Sequence, residues 1–384
     1  MTTARVDIKP EMLRWAVERA RFEEETIEAK IPQLRDWLTG ESKPTFKQLE
    51  KFAQATRVAL GYLFLPKPPV ETLPIPDFRT LQEKEPERPS PDLLDTIYTM
   101  QRRQAWLRED RLEAEAEPLE FVGSARVSDE PAAIGREMRR TVGLTDGWAA
   151  SINTWESAVG ELRRMIEELD VIAVINGVVG NNTHRKLDVQ EFRGFAISDP
   201  YAPVIFVNGA DAKSAQMFTL AHELAHLWLG QSALTDTGIP NSPTSKVERW
   251  CDRAAAEFLV PEQELRALWR AVRSASARFS IIARQFKVSP IVAARRARDL
   301  GLIDPDEFFA FYEAYVSQER KKKESAGGGD FYRNQNNRVG EVFARNVMLA
   351  ALDGRLSFKE AYSLTGLNGG AFQEYAERLG VRLP

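Results

Sequence analysis

Residues 218–230 read FTLAHELAHLWLG and hold two of the three histidines in the chain. His222 and His226 are four apart, with Glu223 beside the first. An α-helix turns by about 100° per residue, so positions four apart share a face, roughly one turn apart. Both imidazoles then reach toward one ion. Glu223 projects from the same rim, close enough to touch a water on that ion. This is the H-E-x-x-H arrangement, with two imidazole ligands and one general base. A neutral imidazole suits zinc, and a carboxylate can take a proton from water that zinc has made acidic. The competing reading is a buried helix whose histidines satisfy local hydrogen bonds. With three histidines in 384 residues, however, this spacing seldom arises by chance.

A catalytic zinc needs a third protein ligand and one open position. The next candidate is VERWCDRAAAEFLVP, residues 247–261. Glu248 and Asp252 are again four apart and share a helical face, while Ala254, Ala255 and Ala256 suit close packing against another helix. The turn-rich segment GQSALTDTGIPNSPT, residues 230–244, is long enough to bring this helix back onto the first. Glu248 is therefore the candidate third ligand. Asp252, one turn on, is the candidate acceptor for a ligand imidazole, fixing its tautomer. Taken alone, the two carboxylates would also fit an ordinary solvated face. His184, in NNTHRKLD, reads either as an electrophilic partner for an oxyanion or as an exposed loop histidine. Cys251 falls off the Asp252 face and reads as a small core residue.

Outward from the motif the pattern is mixed. A helix is expected from about Trp155 to Leu169, then a buried strand in VIAVINGVV, residues 171–179. FRGFAI (192–197) and VIFVN (204–208) read as two further strands around the turn SDPYAP. LEFVGSARV (119–127) reads as a short strand, and VIFVN as an edge strand along which an extended peptide could add. Residues 10–65 look helical throughout, with Thr45 and Gln48 forming a capping box. The proline-dense stretch that follows reads as an extended linker, and Ser90-Pro91 opens a charged helix running to about Ala116. Beyond Pro261 the chain is helical again, with a second linker candidate at ERKKKESAGGGD (319–330) and a last helical unit from about Val339. The fold class expected is α+β, divided into a helical domain (1–66), a linker and connecting helix (67–117), a metallopeptidase-like domain with a small sheet (118–303) and a helical C-terminal region (304–384).

Composition narrows the classes. Apolar residues make up 43% of the chain, as in ordinary globular proteins, and the net charge of −4 argues against a wholesale nucleic-acid binder. One cysteine excludes an intramolecular disulfide and fits a reducing compartment. No basic-then-apolar leader opens the sequence, and no apolar run reaches the roughly 18 residues that span a bilayer. The expectation is a soluble cytoplasmic protein with no membrane partner.

FTLAHELAHLWLG followed by ERWCDRAAAEFLVP resembles the ImmA/IrrE family of zinc-dependent metallopeptidases. PIPDFRT (74–80), FRGFAI and VIFVN are similar to the subgroup in which an Xre-type helix-turn-helix unit precedes the peptidase, and the resemblance extends over nearly the whole chain. It implies a gluzincin-like site with His222, His226 and Glu248 on Zn2+ and Glu223 as general base. The family commonly carries asparagine where this chain has Asp252, and an aspartate can serve the same supporting role. The resemblance also implies a protein substrate, such as a transcriptional repressor or a toxin encoded nearby. A different class stays open: a DNA-binding regulator or antitoxin whose zinc centre is inactive or only structural. A purely structural zinc would leave Glu223 without a role, since such sites fill all four positions.

Residues 10–65 are similar to an Xre-type module, with WLTGESKPT carrying its tryptophan–glycine–proline stretch. Between Thr26 and Trp37, however, there is little chain for two full helices and a turn. Lys30, Gln33 and Arg35 are the polar candidates for DNA, with the acidic Glu23, Glu24 and Glu25 just before them. DNA binding and protein docking both stand as readings of this unit. Arg284, Lys287, Arg295, Arg296 and Arg298 form a further basic set on a hairpin capped by Ser289-Pro290. It reads as a helix-turn-helix-like patch or as the solvated face of a packed helical subdomain.

Overall fold

The structure is a computed structural model of the chain and describes residues 4–21, 24–76, 88–235, 245–319 and 336–382. It divides into two compact units, Met1–Pro74 with Glu83–Tyr98, and Ile75–Gln82 with Thr99–Pro384.

The first unit opens with α1 (Pro10–Arg19), α2 (Glu24–Lys30), α3 (Leu34–Thr39) and α4 (Phe46–Ala55), followed by a 3-10 turn at Leu60–Phe64. Met12, Leu13 and Ala16 of α1 recur at helical spacing and meet Leu34, Trp37 and Phe52 in one core. Trp37 stands edge-on to Phe52, with centroids 6.3 Å apart. Gly40, at φ 81°, takes the left-handed conformation that ends α3. Thr45 and Gln48 form the capping box of α4. The stretch from Leu65 to Pro76 forms neither helix nor strand, as its prolines dictate. It is nonetheless anchored: Arg19 pairs with Glu71 through two hydrogen bonds of 2.6 and 2.7 Å, and Lys9 Nζ donates to Pro66 O at 2.6 Å. Of PIPDFRT, residues 77–80 lie outside the described residues, as does Glu23.

Helix α5 (Pro91–Glu113), capped by the Ser90 hydroxyl, begins in the first unit and ends in the second. There follow α6 (Pro131–Val142), α7 (Trp155–Glu167), β1 (Ile172–Asn176), β2 (Val178–Val179), β3 (Asn182–Lys186), β4 (Gly194–Ile197), β5 (Val204–Asn208), α8 (Lys213–Trp228), β6 (Ala233–Thr235) and α9 (Lys246–Leu259). Then come α10 (Glu262–Val272), α11 (Arg278–Phe286), α12 (Pro290–Asp299), α13 (Pro305–Glu319), and three final helices, α14 (Glu341–Leu352), α15 (Phe358–Thr365) and α16 (Gly369–Arg378). The unit is mixed α and β. Among the described residues no helix is long and apolar enough to cross a membrane.

The main sheet runs β1-β5-β4-β6, with β1 parallel to β5 and the other pairs antiparallel. VIFVN is thus an interior strand, flanked by β1 and β4, and not the edge expected from its sequence. Its five residues are all buried, which a continuous apolar run allows in either position. LEFVGSARV is not a strand. Two of its N–H groups serve the end of α8 instead: Gly123 donates to Leu227 O and Ala125 to Trp228 O, both at 2.9 Å, satisfying carbonyls that a helix end leaves free. Gly123, at φ 72°, turns the chain there, and Phe121 packs on Trp228 with centroids 4.5 Å apart. Part of the expected 230–244 turn is β6, while residues 236–244 lie outside the described residues. So do residues 320–330 of the second linker candidate.

The basic set is only in part a solvated face: Arg284 is exposed, Arg295 and Arg298 are half-buried, and Lys287 and Arg296 are buried. Lys287 is buried and donates to Ala149 O at 2.9 Å and to Arg284 O at 2.7 Å. Arg296 is buried against Glu257 and Val260 O, Arg298 pairs with Asp299, and Arg295 pairs with Asp252. Arg295 and Arg296 thus link α12 to α9, whereas the Arg298 ion pair stays within α12.

Candidate metal centre

Helix α8 is buried on nearly every side from Gln216 to Trp228, between the sheet and α9. That explains why its apolar residues show no single stripe. Helix α9 packs on α8 and is also crossed by α6 at a glycine, where a Cβ on Gly135 would lie 2.6 Å from Ala254 O. Ser245 caps α9, its hydroxyl accepting from Val247 N–H at 3.2 Å. Glu248 therefore sits in the first turn of α9 and faces α8.

This crossing brings together His222, His226 and Glu248, whose ligand atoms all lie within 4.8 Å of one another. His222 Nε2 is 3.1 Å from Glu248 Oε2 and 3.2 Å from His226 Nε2, and His226 Nε2 is 3.2 Å from Glu248 Oε1. Donors held about 2.0–2.2 Å from a tetrahedral zinc are roughly 3.3–3.6 Å apart, so this triangle needs only a few tenths of an ångström of opening. Asp252 Oδ1 lies 3.1 Å from His222 Nδ1. When that nitrogen donates to Asp252, the other ring nitrogen turns its lone pair toward Glu248 and His226. His222 Nε2, His226 Nε2 and the Glu248 carboxylate then converge on one point, where a cation could take a lone pair from each. The donor set thus fits a metal on its own geometry.

The electrostatics agree. Burial works to lower the His222 pKa, but hydrogen bonds to Asp252 and Glu248 outweigh it and hold His222 well above the ordinary imidazole value. Burial works to raise Glu248, yet its contacts with both imidazoles keep it far below the usual carboxylate range. Burial lowers His226. Without a metal the cluster thus takes up a proton where a metal would supply charge.

Glu223 is fully buried, and burial raises its carboxyl to about 8. Among the described residues no hydrogen bond of normal geometry reaches either of its oxygens; the buried Thr235 on β6 opposes the rise only weakly. Space for this carboxyl depends on Gly194 of β4, where a Cβ would lie 2.9 Å from Glu223 Oε1. His184 lies exposed on β3, apart from the buried cluster. Cys251 is buried in the core, and burial holds its thiol well above the ordinary value. Two contributors escape a reading of the sequence. Gly194 is hinted at by a glycine inside a strand pattern. Arg295, 3.0 Å from Asp252 Oδ2, carries no local signal, being 43 residues away in sequence.

Residues 180–298 match the family model of the IrrE N-terminal-like domain, a peptidase family. The match runs from β3 into α12 and contains Glu223, the three clustered donors, Asp252 and Arg295. It supports a metallopeptidase-type domain of the ImmA/IrrE kind over that stretch. Residues 339–378, holding the last three helices, match a domain of unknown function. The N-terminal unit lies outside both matches. No curated protein matches the chain.

Proposed function

We propose that the chain is a zinc-dependent endopeptidase. The observation that carries this reading is the triangle of His222, His226 and Glu248, with the buried Glu223 carboxyl next to His222 on α8. A structural zinc would have no use for a fully buried carboxyl beside one of its ligands. In this reading His222 and His226 present Nε2 and Glu248 its carboxylate to zinc, while Asp252 holds the Nδ1 proton of His222. The ion would polarise a peptide carbonyl and acidify water. The remaining work falls to the protein. Glu223 would be favoured in its ionised form, against burial, by a cation beside it, and in that form it accepts a proton from the attacking water at a carboxylate oxygen and returns it to the leaving amine nitrogen. The buried surroundings keep bulk water from competing for that proton.

We also propose a regulatory protein as substrate, such as a repressor or a toxin encoded nearby, with the N-terminal unit serving as a protein-docking module. What supports docking over DNA contact is charge and length: residues 1–66 carry 11 Lys and Arg against 10 Asp and Glu, and α3 spans only six residues. The test is digestion of a proteome-derived peptide library by zinc-loaded protein, with new termini read by mass spectrometry. Cleavage by the wild type and none by Glu223→Gln is the expected result. A wild type that holds zinc and produces no new termini would remove the endopeptidase reading.

A further inference from the structure

Asp252 has two carboxylate oxygens, and both are engaged. Oδ1 meets His222 Nδ1 at 3.1 Å, and Oδ2 accepts from Arg295 Nη2 at 3.0 Å. The Asp252 side chain is almost buried, whereas that of Arg295 is 31% exposed. Arg295 belongs to α12, which has a separate anchor on α9. The neighbouring Arg296 donates to Val260 O at 3.0 Å and pairs with the buried Glu257. Docking of α12 therefore does not depend on Arg295, so its contact with Asp252 is open to another explanation.

We propose that Arg295 is a positioning residue for the metal centre. By holding Oδ2 it fixes the plane of the Asp252 carboxylate, so that Oδ1 faces His222 Nδ1 and His222 Nε2 faces the metal position. The terminal torsion of an aspartate is broad, and one contact alone leaves the carboxylate able to swing. A guanidinium on the second oxygen removes that freedom. The chain of contacts runs from α12 to α9 to α8, tying the tautomer and ring angle of a ligand on one helix to a side chain two helices away. The inference rests on the metal-centre reading above.

Charge alone predicts the opposite effect. A cation near a dication repels it, so an arginine acting only through its charge would weaken metal binding, and its removal would tighten it. Positioning and repulsion therefore differ in sign. Partners of metal-bound histidines are worth about 10–100-fold in metal affinity, and Arg295 stands one contact further out, so roughly tenfold is expected.

The test compares zinc affinities, by chelator competition, for wild type, Arg295→Met and Arg295→Lys. It is joined to nitrogen-15 spectra of the histidine rings in the zinc-loaded proteins. The chain has three histidines; a His184→Gln variant removes the exposed ring, and of the two buried rings His222 is the one whose Nδ1 faces the Asp252 carboxylate. Arg295→Met should bind zinc about tenfold more weakly, with the His222 Nδ1–H signal shifted or broadened. Arg295→Lys, which keeps a donor for Oδ2, should recover most of both and remains informative if the methionine variant folds poorly. A loss of melting temperature with unchanged zinc affinity and unchanged ring signals would overturn the proposal, as would tighter zinc binding by Arg295→Met. In either case a zinc-binding wild type leaves the metal-centre reading standing. A wild type that takes up no zinc would remove both.

Discussion

Gly194→Ala places one methyl group where the structure has no room. The new Cβ would lie 2.5 Å from the Thr219 side-chain methyl, 2.9 Å from Glu223 Oε1 and 2.9 Å from Phe206 O. The Thr219 methyl can be moved by rotation, but Phe206 O belongs to β5, whose ladder with β4 fixes it. Glu223 is fully buried and must be displaced as well. Overpacking of this kind costs about 1–3 kcal/mol, and a fixed backbone atom points to the upper half of that range. For a domain of this size each kcal/mol lowers the melting temperature by roughly 2–4 °C, so the variant should melt about 4–12 °C below the wild type by calorimetry. Gly160→Ala is the internal control. Gly160 lies within α7, and a Cβ there meets nothing within 4 Å. That substitution should be neutral or stabilising by up to about 1 kcal/mol, since alanine favours the helix. A Gly194→Ala protein that melts with or above the wild type would show that β4 does not approach α8 this closely, and that Glu223 is not held against the sheet.

Other outcomes follow from the same geometry. Glu223→Gln should retain zinc and fold but lose at least about 100-fold in peptide cleavage, because an amide cannot accept the proton; rate and metal content measured on one preparation separate the two effects. Glu248→Ala should retain the fold but bind zinc far more weakly, seen as metal lost on dialysis against a mild chelator. Stripping zinc from the wild type should lower its melting temperature, and restoring free zinc to a thousandfold excess over the dissociation constant should return about 4 kcal/mol of stability. An unchanged melting curve on chelation would mean that the triangle holds no metal in solution.

Much of the site could be read from spacing because a helix makes spacing geometric. His222 and His226 share a face by period alone, and the same period pairs Glu248 with Asp252. What the sequence does not state is that α8 and α9 cross face to face. That depends on packing from the rest of the unit, including α6, which closes on α9 where Gly135 lies under Ala254. Arg295 stayed hidden for a related reason. Its partner lies 43 residues back, and the arginine looked like one of several on a basic hairpin. The strands were legible as strands and illegible in order. Fully buried runs such as IAVIN and VIFVN look alike from composition, so the interior place of β5 follows only from its pairing with both β1 and β4. The segment LEFVGSARV has the residues of a strand, but two of its N–H groups are claimed by the carbonyls that end α8, a tertiary demand with no local signature. β6, with three residues, is too short to show any alternation.

The central claim is that one metal ion sits among His222, His226 and Glu248. The most direct measurement is zinc-edge X-ray absorption, with elemental analysis, on the full chain and on a His222→Ala/His226→Ala variant. One equivalent of zinc with two imidazole nitrogens and a carboxylate oxygen at about 2.0–2.2 Å, absent in the double variant, is the expected result. A wild-type chain that holds no zinc after loading, or a double variant that holds the same equivalent with the same spectrum, would contradict it.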